Sequence, residues 1–197
     1  MKRNLLTLIM ALGMIVFLSS CGKVPQAEID NAQLAIENAR AAESELYAPE
    51  QLAMLEDSMN AIVENIEARK SKMFKNFNEE KAQLEGIVLL AEETRMNAES
   101  RKQEIIQEYQ DVMATVTALI AEDRDLLMKA PKGKEGKLAL QAIGNDITAV
   151  EESVNNANAM YSEGKYIPAL DGVKAAHEKA MALNNELKEV IAKYNKR

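Results

Sequence analysis

The sequence predicts an all-α protein, an elongated antiparallel helical bundle or coiled coil in which two three-helix bundles share one long central helix. Three observations predict it. Ala, Glu, Leu, Lys and Met abound, aromatic residues make up only 4% of the chain, tryptophan is absent, and strand-favouring runs of Val, Ile and Thr are missing. Leu84, Ala91, Ala98, Ile105, Val112, Leu119 and Leu126 recur at intervals of seven, the period of helices that pack along a seam. Proline, glycine and asparagine then divide the chain into five helical stretches.

The first helix is expected over residues 26–46, with Pro25 at its start and Ile29, Ala32, Ile36, Ala39 and Leu46 on one face. It ends at Tyr47-Ala48-Pro49, because the residue before proline is pushed out of helical geometry. Pro49 opens the second helix with Glu50 in its first turn. Its stripe is Leu52, Leu55, Met59, Ile62, Ile66 and Met73, with Arg69 filling one place. Asn76 and Asn78 are good helix caps around Phe77. From there a third helix runs to about Lys129, ~75 Å at ~1.5 Å per residue. Its stripe thins between Thr94 and Gln103, which predicts a solvated waist between the bundles.

Residues 130–136, with one proline and two glycines, form the clearest loop. The fourth helix carries Leu140, Ile143, Ile147, Val150, Val154, Ala157 and Tyr161, and Gly164-Lys165-Tyr166 ends it. The fifth starts at Pro168, with Val173, Ala176, Ala180, Leu183, Leu187, Val190 and Tyr194 on its stripe. Gly86, Gly144 and Gly172 lie inside helices, either for close crossing or merely tolerated. Helices two and four align at an offset of 88, and helices three and five at 89. Either a helical hairpin was duplicated, or two heptad stripes simply slide into register.

The start of the chain reads as an export signal rather than as fold. Lys2 and Arg3 precede an apolar stretch of 14 residues, 5–18, and then come Ser19, Ser20 and the only cysteine, Cys21. Spanning a bilayer permanently takes ~20 apolar residues, so a transmembrane anchor fits less well. Leu18-Ser19-Ser20-Cys21 looks like the lipobox of a bacterial lipoprotein. That resemblance implies a lipid on the Cys21 thiol, cleavage before it and an acylated new N-terminus. Two or more acyl chains hold a protein stably on a membrane. Gly22 stands where an aspartate would signal retention in enteric-type lipoproteins, so the expected location is the periplasmic face of the outer membrane. The expected division is a signal peptide over 1–20, a lipidated tether over 21–25, and helical bundles over 26–100 and 101–197.

The net charge is −7, or −9 once Lys2 and Arg3 leave with the signal, which argues against nucleic acid as a partner. With one cysteine no disulfide forms within the chain. The single histidine, His177, follows Ala175-Ala176 at the edge of an apolar stripe and reads as a packing residue. Three residues before it stands Lys174, not the glutamate that carboxylate-bridged metal sites in bundles require. Glutamate pairs such as Glu79-Glu80 read as solvated helix faces, and no phosphate-binding glycine loop occurs. No enzyme, cofactor or metal is expected. Lys129, Lys132, Lys134 and Lys137 cluster at one loop, either as a solvated turn favoured by the helix dipole or as a contact for an anionic partner.

Residues 32–98 resemble a helical domain of unknown function found in bacterial envelope lipoproteins and ahead of OmpA-like peptidoglycan-binding domains. The resemblance rests on Ala32, Ala35, Ala39 and Ala42, the turn Tyr47-Ala48-Pro49-Glu50, Leu52, then Asn76-Phe77 and Ala82, Ala91 and Ala98. Residues 73–78 depart from that family's compact Gly-Asp-Tyr turn. The family implies an envelope location and a helical hairpin, and supplies no activity. The turn Gly164-Lys165-Tyr166 with Ala169 is similar to tetratricopeptide-type hairpins. The expected function is therefore structural, scaffolding or adaptor work in the cell envelope by a lipid-anchored, non-catalytic protein with an envelope-protein or cell-wall partner. The alternative is a tetratricopeptide-like module that binds a peptide or a cell-wall glycan.

Overall fold

In the computed structural model the described residues are 22–73, 75–131 and 136–195, and they form helices and the turns that join them. The helices are α1 (Gln26–Ala41), α2 (Ser44–Tyr47), α3 (Pro49–Lys70), α4 (Asn78–Lys129), α5 (Gly136–Ser162) and α6 (Tyr166–Asn195). The all-helical, bundle-like class is as expected, and α4 is the long central helix. The lipobox residues Leu18, Ser19, Ser20 and Cys21 lie outside the described residues, as do Lys132 and Lys134 of the lysine cluster.

Among the described residues six helices replace the expected five, because the first stretch breaks at Ala42. Glu43 adopts the left-handed conformation (φ 61°), its N–H bonds the Arg40 carbonyl at 2.8 Å, and the buried Ser44 hydroxyl donates to the Ala39 carbonyl at 2.6 Å. The serine hydroxyl supplies a bond that a backbone N–H usually makes at a left-handed helix end. α2 then leaves on a new heading. Leu46, expected on the apolar face, is 59% exposed as a result. Pro49 opens α3 as expected, with Ala48 before it held out of helical geometry (φ −144°, ψ 48°). α3 stops at Lys70, short of Met73, which is 94% exposed rather than part of the stripe.

The chain divides into two units between Arg101 and Lys102. In the first, Ile29, Ala32 and Ile36 of α1, Leu52, Leu55, Met59, Ile62 and Ile66 of α3, and Leu84, Ile87 and Ala91 of α4 form one core with Phe77. Each buried Ile or Leu contributes about 1.5–3 kcal/mol of apolar burial. Ion pairs Arg40–Glu56 (2.7 Å), Arg69–Glu79 (3.2 Å) and Lys81–Glu28 (2.7 Å) fix an up-down-up order of α1, α3 and α4. The Asn76 side chain caps α4 by accepting the Asn78 N–H at 3.0 Å. Val24 packs on this core and Pro25 is fully buried, so the last residues of the expected tether belong to the folded body.

In the second unit, the remainder of α4 packs with α5 and α6, again up-down-up. Arg124 and Glu151 form a two-point ion pair at 2.5 and 2.6 Å, and Glu108–Lys174 (2.5 Å) and Glu122–Lys188 (2.8 Å) tie α4 to α6. Gly164 (φ 78°) turns α5 into α6, with its N–H on the Tyr161 carbonyl at 3.0 Å and the Lys165 N–H on Met160 at 2.9 Å. α6 starts at Tyr166, two residues before Pro168, since proline is tolerated throughout a first turn whose N–H groups need no helical partner. Gly172 lets α5 and α6 approach, because a Cβ there would sit 3.4 Å from that of Ala157. Gly144 faces Leu127 at 3.3 Å, whereas Gly86 meets open space and is simply tolerated.

The seven-residue stripe of α4 is buried at Leu84, Ala91, Ala98 and Ile105, but Val112, Leu119 and Leu126 are only half-buried. In the second unit the seam is the row four residues on, Tyr109, Val116, Asp123 and Ala130. It runs there because Tyr109 meets α5 and Asp123 meets α6, as described below. The solvated stretch is narrower than expected. Thr94 is buried, its hydroxyl bonded to the Leu90 carbonyl at 2.8 Å, and Ala98 is buried too. Residues 99–104 bury no side chain, as is also true of 110–115, 117–122 and 124–129 further along α4.

Candidate functional site

Of the four lysines expected to face a partner, two are described. Lys129 lies in the last turn of α4, where the helix dipole favours a cation, and it pairs with Asp125 one turn back. Lys137 is exposed in the first turn of α5. It lines an open groove of about 370 Å³ together with Leu127, Met128, Leu140 and Gln141. Met128 and Leu138 beside it are 70% and 78% exposed. Apolar side chains left in water next to amines form an amphipathic end to this pair of helices.

The tyrosines of the second unit pack on one another. Tyr109, buried on α4, stacks on Tyr161 of α5 at 4.3 Å and 11° between planes. Tyr166 meets the Tyr161 ring edge-on at 5.2 Å, and the Lys102 ammonium lies 5.5 Å from the Tyr166 ring centre. The Gln110 amide donates to the Tyr161 hydroxyl at 3.2 Å, and the Tyr109 hydroxyl donates to the side-chain Oδ1 of Asn158 at 3.4 Å. Burial, with the Tyr161 hydroxyl nearby, pushes the Tyr109 phenol above its ordinary value. Stacked and edge-on rings of this kind each contribute about 0.5–1.5 kcal/mol beyond their burial. The cluster closes the hairpin end of the second unit.

His177 is half-buried on α6, and among the described residues no hydrogen bond or ion pair is formed by it. No group of three or more His, Cys, Asp or Glu side chains suited to a metal occurs among the described residues.

Two acids are buried: Glu80, against the expectation that Glu79-Glu80 is a solvated face, and Asp123, for which the sequence carried no expectation. Glu80 is 1% exposed in the first turn of α4, with one oxygen 2.5 Å from Arg69 Nε, yet neither oxygen is in hydrogen-bonding geometry. Asp123 is 1% exposed, accepts the Asn184 amide at 2.7 Å on Oδ1, and leaves Oδ2 without a partner. Burial pushes the Asp123 carboxyl above its ordinary range, and Glu122 adds to this, against the opposing effects of Asn184 and Lys188. Beside it, hydrogen bonding from Lys188 holds the Glu122 carboxyl below the usual carboxylate range. The signal was present: Glu80 falls seven residues before Ile87, and Asp123 seven after Val116. Both therefore stand in core rows.

No family model, curated protein or solved structure matches the chain. What the protein does rests on its own residues.

Proposed function

We propose that this is a lipid-anchored helical protein of a bacterial cell envelope, with a scaffolding or adaptor role and no catalytic one. The observation that carries the reading is Leu18-Ser19-Ser20-Cys21 behind a basic tip and a 14-residue apolar stretch. Gly22 directs the reading to the periplasmic face of the outer membrane. The Tyr47-Ala48-Pro49-Glu50 turn, with its likeness to envelope lipoprotein domains, supports it. The amphipathic end at Lys129, Lys137, Met128 and Leu138 offers the surface through which an envelope protein or cell-wall partner is met.

Cys21→Ser is expected to abolish labelling by radioactive palmitate and to move the protein from the membrane fraction to the soluble one. A variant that still labels and still sediments with membranes would overturn the anchor. A second reading, a tetratricopeptide-like module for a peptide or a cell-wall glycan, is favoured by the open groove along Leu127 and Leu140. The mutual stacking of Tyr109 and Tyr161 weighs against a glycan on those rings.

A further inference from the structure

The second unit contains a buried carboxylate that its fold does not fully satisfy. Asp123 faces α6 across the core seam of α4, where Asn184, itself buried, donates to Oδ1 at 2.7 Å. Oδ2 is enclosed and unpartnered. The charged groups around it are engaged elsewhere. On α6, Lys188 lies 2.8 Å from Glu122. On α4, Glu122 takes that lysine, Arg124 reaches Glu151 of α5, and Asp125 pairs with Lys129. From α5 the core receives Ile143, Ile147 and Val150, which have nothing to offer a carboxylate. An ionised acid with one oxygen bare in an apolar seam is costly, and a proton on that oxygen removes the cost.

We propose that Asp123 and Asn184 form a proton-sensitive latch between α4 and α6, closed when Asp123 carries a proton and loosened when it ionises. The proton comes from solvent and no covalent bond changes. The sign follows from burial. Because the folded state raises the carboxyl above its unfolded value, the latch is at full strength below the unfolded value. It weakens as pH climbs through the interval up to the raised folded value. The second unit therefore tightens in acid, opposite to the usual loss of stability as paired carboxylates protonate. Asn184 sets the size of the effect, since its amide favours the ionised form and partly opposes burial.

Hydrogen exchange of the α6 amides around Asn184, corrected for intrinsic chemistry and followed between about pH 4 and pH 8, tests the latch on the full chain. The wild type is expected to lose protection severalfold as pH rises. Asp123→Asn keeps the shape and cannot ionise, so its protection should stay flat across the same range. Equal slopes in the two proteins would overturn the proposal. Carbon-13 titration of the Asp123 carboxyl in the wild type requires no variant. A midpoint at or below that of exposed aspartates would overturn the proposal as well, and a higher one would support it.

Discussion

Arg69 holds a place in the apolar register of α3 that a leucine would fill, and Glu80 does the same on α4. The two meet across the turn between the helices, where Arg69 also donates to the Asn76 carbonyl at 3.3 Å. Removing one member of such a pair leaves the other charged and enclosed. Arg69→Ala is expected to destabilise the first unit by about 2–4 kcal/mol, the lower part of that span reflecting an arginine one-third exposed. Arg69→Met with Glu80→Leu should recover most of the loss. Urea unfolding of the single and double variants measures both, and a single-variant loss under about 0.5 kcal/mol would mean that the pair is only a surface contact. At this scale the sequence was half legible. A charge in an apolar row is visible as a gap, but its partner depends on which side chains face each other across helices. Asp123 and Asn184, 61 positions apart, carried no local sign of each other.

The elements were more legible, because proline, glycine and heptad spacing act over a few residues. Both turns with strong punctuation, at Pro49 and at Gly164, fall where expected. The break at Ala42 was missed since neither glycine nor proline marks it; a glutamate takes the left-handed position and a serine hydroxyl completes the end. Two glycines give opposite expectations. Gly164→Ala should lower stability by about 1–2 kcal/mol, because φ of 78° strains a residue with a Cβ although nothing blocks the space. Gly86→Ala should raise it by about 0.5–1 kcal/mol, since that helix interior is open and alanine loses less entropy on folding. Thermal melts of the two variants decide both signs. The shift of the buried seam on α4 was beyond local reading: Val112 and Tyr109 both fit a heptad, and only Tyr161 on α5 selects between them.

For the whole molecule, the division between Arg101 and Lys102 falls inside a continuous helix, in the stretch 99–104 that buries no side chain. Each unit has its own core and its own set of inter-helix ion pairs. Fragments 22–101 and 102–197 are therefore each expected to be helical by circular dichroism and to unfold with a cooperative transition. A fragment that is a random coil, or melts without a midpoint, would show that the cores depend on one another. The helical class and the long central helix were plain from composition and period alone. The surroundings of the lysines were not, since they mark the connection from α4 to α5 without saying which apolar neighbours accompany them. Met128 and Leu138 stand in the open there because the helices on which they sit turn other faces inward.

The burial of Pro25 bears on reach. Between Cys21 and Pro25 lie only Gly22, Lys23 and Val24, and Val24 itself packs on the first core. A fully extended run of four residues covers at most ~14 Å. On the proposed lipid attachment, the first unit would stand directly against the headgroups, with no slack to roam or to turn over. A partner in the same membrane would thus find this unit within grasp at once, and one beyond that distance would have to come to it.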